Sequence, residues 1–513
     1  MSRHSVMLVS SSQASAVIRA AGQSGEAGDQ EALRAELARR VLSGPGLWTA
    51  WLEDLDRRGL LEELLADGVI GQAVASAPHA HQLDRALNAK MTVICVLVGC
   101  VFPGGYDTVL ATAFGLPGLP ARPGTQVPSG PALSKARALL GEHVMKRLFE
   151  LDAARSDTDL GIGSLWHGME TTASGGTTAD LFACEVLAEA FGVPEGGTKP
   201  QLRIVAHVRT GSRRWIGAAV GGYLDGENTL ADELEGTLQP GMLNLADRGF
   251  FSMHRWIRFS ATGAHLCWRV KNTAKSVPFK TLTTLPDGSE LVRLRESDGM
   301  LSKRRRDAGD RTLPRLQQVT ARLVCFTVTA RTASGHIKTT TIRVLTTLLD
   351  HAAFPAREIA ALYAERWQIE IAFLHLKKTL RGARRVLRGR SPELARQEAW
   401  ALLLVHNMIA TLAARAAAQA GTDPDAVSFT AVLSLVRAGI LGDTCCEHCG
   451  KRPSDPLGRL TSAVTAHPGN RTGRTRTSGR TAAERRTRHT EDATYTITIA
   501  PSNLPKTDET PGS

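Results

Sequence analysis

The stretch Leu362-Tyr363-Ala364-Glu365-Arg366-Trp367-Gln368-Ile369-Glu370-Ile371-Ala372-Phe373-Leu374-His375-Leu376-Lys377 decides how the rest of the chain reads. It has the makings of a helix: Pro355 stands near its start, good helix formers fill it, and Gly382 follows its end. At ~100° per residue, Tyr363, Arg366, Glu370 and Lys377 fall at about 0°, 300°, 340° and 320°. One narrow stripe therefore carries a phenol, a carboxylate and two cations. A carboxylate among phosphate-binding cations suits metal-assisted chemistry on a phosphodiester. An exposed helix with i,i+3 and i,i+4 ion pairs gives the same stripe. Helix geometry alone leaves both readings open.

Upstream, from about Leu160 to Lys271, strands alternate with helices. Pro200 to Arg209 alternates Leu202, Ile204, Ala206 and Val208, and Trp215 to Val220 follows after a turn at Gly211-Ser212. Glu227 to Leu238 reads as a helix, Met242 to Ala246 as a short buried strand, Phe251 to Phe259 as a helix, and His265 to Lys271 as a further strand. This order predicts a mixed α/β sheet. Asp247 stands directly after an apolar strand and before Arg248-Gly249-Phe250. The carboxyl ends of strands host sites in open α/β sheets; an Asp there also serves as a helix cap. Residues 275–342 read as a β-rich insertion, with the basic run Lys303-Arg304-Arg305-Arg306 in a loop or hairpin between strands.

The 513 residues carry a net charge of +12, which favours a polyanionic partner. The longest apolar run, Met91 to Phe102, is too short to cross a bilayer and reads as a buried helix, so no membrane partner is expected. Four segments follow from the patterning. Residues 1–45 read as a flexible extension, 46–155 as a helical domain, 160–438 as the α/β domain, and 439–513 as a basic, mostly disordered tail. Ser134 to Leu151 is an amphipathic helix with Lys135, Arg137, Lys146 and Arg147 off its apolar side; the helical domain serves either as a duplex-DNA reader or as a cap on the next domain. Between Pro468 and Thr490 there are seven Arg and one Glu, half of the net charge. Cys445, Cys446 and Cys449 with His448 make half a zinc site, and no second pair follows nearby. Eight cysteines in so long a chain predict no disulfide framework and a reducing cytoplasm.

Together these residues resemble a known family. The spacing Tyr363-x2-Arg366-x3-Glu370-x6-Lys377 is similar to the signature of the insertion-sequence-four family of DDE transposases. Asp247-Arg248-Gly249-Phe250 resembles the segment holding that family's second catalytic Asp. Val344 to Asp350, Glu358 to Tyr363, Ser391-Pro392-Glu393-Leu394 and Pro131 to Arg137 also resemble its phrases, over roughly residues 45–440. The resemblance implies a ribonuclease-H-like core with a β-rich insertion, preceded by an all-α domain that binds DNA ends. It also implies three carboxylates holding two Mg²⁺ or Mn²⁺ ions, Asp247 and Glu370 among them. Tyr363, Arg366 and Lys377 would contact DNA phosphate, and a homodimer on double-stranded terminal repeats and target DNA would cut and join strands.

One position departs from that pattern. The family's first Asp precedes Gly-Thr-Thr; here the phrase is Ala173-Ser174-Gly175-Gly176-Thr177-Thr178, and Gly175 occupies the Asp position. Glycine has no side chain to ligate a metal. Asp180, five residues on and expected in the following loop or helix, is the better substitute; Glu170 falls on the opposite face of a regular strand. The sequence thus predicts a transposase impaired by Gly175, with a catalytically inactive, transposase-derived DNA-binding protein as the alternative.

Overall fold

The computed structural model describes residues 72–75, 87–102, 104–114, 127–155, 165–271, 279–331, 337–382, 386–441 and 494–500. The expected extension at 1–45, the basic segment 468–490 and the cluster Cys445, Cys446 and Cys449 lie outside the described residues.

One mixed sheet organises the molecule. Its strands are β1 (Leu165–Trp166), β2 (Met169–Asp180), β3 (Gln201–Arg209), β4 (Trp215–Gly222), β5 (Met242–Ala246), β6 (His265–Val270), β7 (Phe279–Thr284), β8 (Glu290–Leu294), β9 (Val319–Arg331), β10 (Ile337–Thr346) and β11 (Thr494–Ile499). Their order is β4-β3-β2-β5-β6-β10-β9-β8-β7, with β1 on β2 and β11 on β9. The first five form an antiparallel meander β4-β3-β2 joined to parallel β5 and β6. That is the ribonuclease-H-like arrangement, so the α/β expectation holds. The insertion does not stand apart. Its strands β7–β10 continue the same sheet, because β10 pairs antiparallel with β6.

Alternation decides which face each strand residue covers. Ala173, Leu202, Ile204, Ala206, Leu243 and Leu245 face one core, shared with the helices that precede and follow the sheet. Val205, Ala246, Leu266 and Trp268 face a second core with Leu230, Phe250 and Trp256. Burial on both faces explains why these strands read as nearly continuous apolar runs.

The N-terminal helices α1 (Ala89–Val101), α2 (Tyr106–Phe114) and α3 (Gly130–Ala153) pack on the first core. Arg137 is a correction to the sequence reading: it is buried, not displayed. Its Nε donates to Gln397 Oε1 at 2.8 Å, and Nη2 donates to the Leu394 carbonyl at 3.2 Å. Both partners lie on the long helix Pro392–Gln419. That helix is apolar and long enough to cross a membrane, but 78% of its most apolar window is buried inside the protein. The run Lys303 to Arg306 is likewise helical, within Asp298–Asp307, where Ser297 caps the first turn and Arg304 pairs with Glu296. The tail is not uniform either: β11 pairs with β9 from Arg331 to Phe326. Its alternation, Thr-Tyr-Thr-Ile-Thr-Ile, was the available signal.

Candidate active site at the end of strand β5

Strand β5 stops at Ala246, opposite Ser174 of β2, while β2 continues to Asp180 paired only with β3. The result is a notch in the sheet, bordered by Gly175 and Gly176 on one side and Asp247 on the other. A buried polar ladder fixes this register. Ser174 Oγ donates to Asn244 Oδ1 at 3.0 Å, Asn244 Nδ2 to Thr172 Oγ1 at 3.0 Å, and Trp268 Nε1 to Asn244 Oδ1 at 2.9 Å. Unsatisfied, Asn244 would cost stability; satisfied, it forbids a strand slip. A lone Asn in Met-Leu-Asn-Leu-Ala was the sequence signal for it.

Asp247 does not cap the next helix. Ser252 does, its hydroxyl accepting from Arg255 N at 3.1 Å, and the helix runs from Met253 to Ala261. The Asp247 carboxylate is left 40% exposed, 3.5 Å from Arg269 Nη1. Glu370 faces the same notch, 46% exposed, with Arg366 Nη1 at 3.6 Å. Both carboxylates are thus solvent-reachable, with one arginine beside each.

The segment carrying Glu370 is not one regular helix. An α-turn Ala356–Leu362 tightens to a 3₁₀ turn over Tyr363–Trp367, returns to α over Gln368–Leu374, and widens to a π-turn over His375–Leu380. The single-helix projection therefore fails at its ends. Tyr363 is the clearest correction: it is 5% exposed, and its hydroxyl donates to the Ala246 carbonyl at 3.2 Å. Burial pushes its pKa far above the ordinary phenol range. It ties the segment to the end of β5. Lys377 Nζ donates to Thr177 Oγ1 at 3.1 Å, reaching back onto β2 two residues past Gly175. Desolvation, then Arg381, lowers the Lys377 ammonium.

A Cβ on Gly175 would point at Ile369, 3.1 Å from Cδ1 and 3.2 Å from Cγ2. The side-chain direction is therefore toward the Glu370 segment, as a first carboxylate requires, but hydrocarbon borders the seat. Asp180 is not a substitute. It ends β2 rather than lying in a loop, about 17 Å along the strand from Gly175. It accepts from Gln201 Nε2 at 2.8 Å. Glu170 is paired with Arg209. Carboxylate oxygens suit Mg²⁺ or Mn²⁺. Yet among the described residues no three Asp, Glu, His or Cys side chains stand close enough to hold an ion. Asp247, Glu370 and Gly175 as placed do not fit the two-metal site that the resemblance implies.

Comparison with known proteins adds four findings. Residues 190–408 match the family model for the transposase DDE domain, and residues 56–150 match that for the N-terminal domain of insertion element 4 transposases. The first match begins downstream of Gly175 and includes Asp247 and Glu370. The chain is 31% identical over 211 residues to the transposase InsG for insertion sequence element IS4 of Escherichia coli (strain K12), covering 41% of this chain. It spans 43% of that relative's length. The cryo-EM structure of a piggyBac transposase synaptic complex with hairpin DNA superposes with a TM-score of 0.39 and 8% identity, over 78% of this chain and 82% of that one.

Proposed function

Because the chain belongs to the insertion-element-4 family of DDE transposases, we propose that it binds the ends of an insertion sequence and cleaves and transfers their strands at the notch beside β5. This reading is supported by two exposed carboxylates, Asp247 just past the end of β5 and Glu370 on the segment that Tyr363 ties to that same strand end, each with an arginine beside it. The cations divide the work. Arg366 and Arg269 hold the carboxylates apart from one another's repulsion. Lys377, anchored on Thr177, presents an ammonium where a phosphate would lie along β2, and charge there steadies the developing negative charge at phosphorus. Tyr363 acts as a positioning residue beneath Asp247.

On this reading the partners are double-stranded DNA, as terminal repeats and target, and a second copy of the chain. The compartment is the cytoplasm, and any Mg²⁺ or Mn²⁺ would be held by Asp247 and Glu370, Gly175 supplying no ligand. Net charge of +12 fits a polyanionic partner. The second reading, a transposase-derived DNA-binding protein without cleavage, is favoured by Gly175 and the Ile369 side chain against it. Both are tested on duplexes carrying the element's own ends, with Mg²⁺. Cleavage that is lost in Glu370→Ala and Asp247→Asn supports the first reading. Tight, salt-sensitive end binding with no cleavage by the parent chain supports the second.

A further inference from the structure

Strand β11 returns to the sheet from far along the chain. Residues 442–493 lie between the helix Phe429–Leu441 and Thr494. β11 then pairs antiparallel with β9, Thr494 opposite Arg331 and Ile499 opposite Phe326, and Ala500 N donates to the Cys325 carbonyl at 2.9 Å. Closing so long a connection costs little more than closing a short one, because the entropic cost grows only with the logarithm of its length. Alternation turns Thr496 and Thr498 outward, both exposed, and Ile497 and Ile499 inward. The two isoleucines pack against the first core, which holds Phe326, Val328, Ile359 and Tyr363. Among the described residues β11 has β9 on one edge and no strand on the other.

The register puts this strand at the same end of the sheet as Asp247. Ala246 is opposite Trp268, Trp268 opposite Leu345, and Leu345 opposite Leu323. β11 pairs only from Phe326 onward, so it lies on the part of β9 that runs past the level of Ala246. The helix Ala356–Leu362, which leads into Tyr363 and Glu370, packs on both β9 and β11. Hydrogen bonds tie its two ends. Ala356 N donates to Asp287 Oδ2 at 2.8 Å, and the Tyr363 hydroxyl to the Ala246 carbonyl at 3.2 Å. Between these ends the hold is apolar. The Phe326 ring stands edge-on to Tyr363, 6.4 Å between centroids, and Ile499 is its neighbour on β11.

We infer that β11 is a positioning strap for the Glu370 segment: Ile497 and Ile499, through Phe326 and Val328, hold the helix Ala356–Leu362 in the place from which Tyr363 and Glu370 follow. Its consequence for cleavage rests on the functional reading above. A strand bonded along one edge, with its apolar side partly buried, opens more readily than strands inside a sheet. Release of the strap therefore loosens the segment that carries Glu370 while β5 and β6 stay paired.

The test is backbone hydrogen exchange in the full chain, read by mass spectrometry, for the parent, I497T/I499T and the outward-facing control T496S/T498S. I497T/I499T keeps β-branched side chains on the strand and removes apolar surface from its inner side. Exchange should quicken by about tenfold or more over residues 326–331 and 356–370 and stay unchanged over β2, β5 and β6. The control should match the parent. Unchanged exchange over 356–370, or an equal rise over the whole sheet, overturns the strap. Should I497T/I499T fail to fold, I497V/I499V takes its place, with a smaller rise over the same residues and the same outcomes deciding. In cleavage of the element's end duplex with Mg²⁺, measured in the G175D background, I497T/I499T should lower kcat and leave KM unchanged. A raised KM at unchanged kcat overturns the strap as well. No nicking in that background counts against the functional reading alone, and the strap is then decided by exchange.

Discussion

Tyr363 shows how far one residue's role depends on its surroundings. A helical projection groups it with Arg366, Glu370 and Lys377, yet its phenol is buried and its hydroxyl is committed to Ala246. Tyr363→Phe removes that donor and leaves a carbonyl beneath the site without it. The expected cost is about 1 kcal/mol of unfolding free energy, measurable by urea denaturation; loss of DNA affinity at unchanged stability would instead favour direct phosphate contact. Asp247 moves the opposite way. A cap and a catalytic acid look alike after a strand, but Ser252 takes the capping, and Asp247 is released to the notch. The motif residues were legible because their spacing is local.

At the scale of elements, the Glu370 segment was legible as helical, but its changes of pitch were not. The 3₁₀ and π turns arise where packing, rather than propensity, decides: Tyr363 must reach β5 and Lys377 must reach β2. The β-rich insertion was legible from its Thr, Val and Leu content, while its continuity with the sheet depends on β10 pairing with β6 far back in the chain. Arg255 is the element-level tie with the largest expected effect. It is buried and satisfies four acceptors across two helices and a loop. Arg255→Met should cost about 3 kcal/mol, since removing one side of a buried charged network leaves its partners unmatched. A melting curve within a degree of the parent chain would show that the two helices are held by apolar packing alone.

For the whole molecule, two cores on one sheet set the response to acid. His207 and His406 are fully buried; burial, with Arg255 as a lesser cause, lowers His207 to about 3, and burial, then His375, holds His406 well below 6.5. Folded-state values below the unfolded value mean that the unfolded chain gains protons first. Stability present above pH 6.5 should therefore fall as the pH drops toward 3, by about 1.4 kcal/mol per pH unit for each histidine. Urea midpoints at pH 7 and pH 5 measure the slope, and His406→Phe, placed among Trp215, His375 and Phe429, should reduce it. A flat profile contradicts the account of these buried imidazoles. On the proposed reading, this sheet carries a DNA-cleaving site whose first carboxylate seat lacks its acid at Gly175. Its most direct measurement is Mg²⁺-dependent nicking of the element's end duplex by the parent chain and by Gly175→Asp. Ile369 needs to yield only a few tenths of an ångström to admit the new Cβ. The expected result is faster nicking by Gly175→Asp, by up to about 10²-fold, abolished when Glu370→Ala is added. Equal, robust nicking by both chains, or cleavage that survives the loss of Glu370, would contradict it.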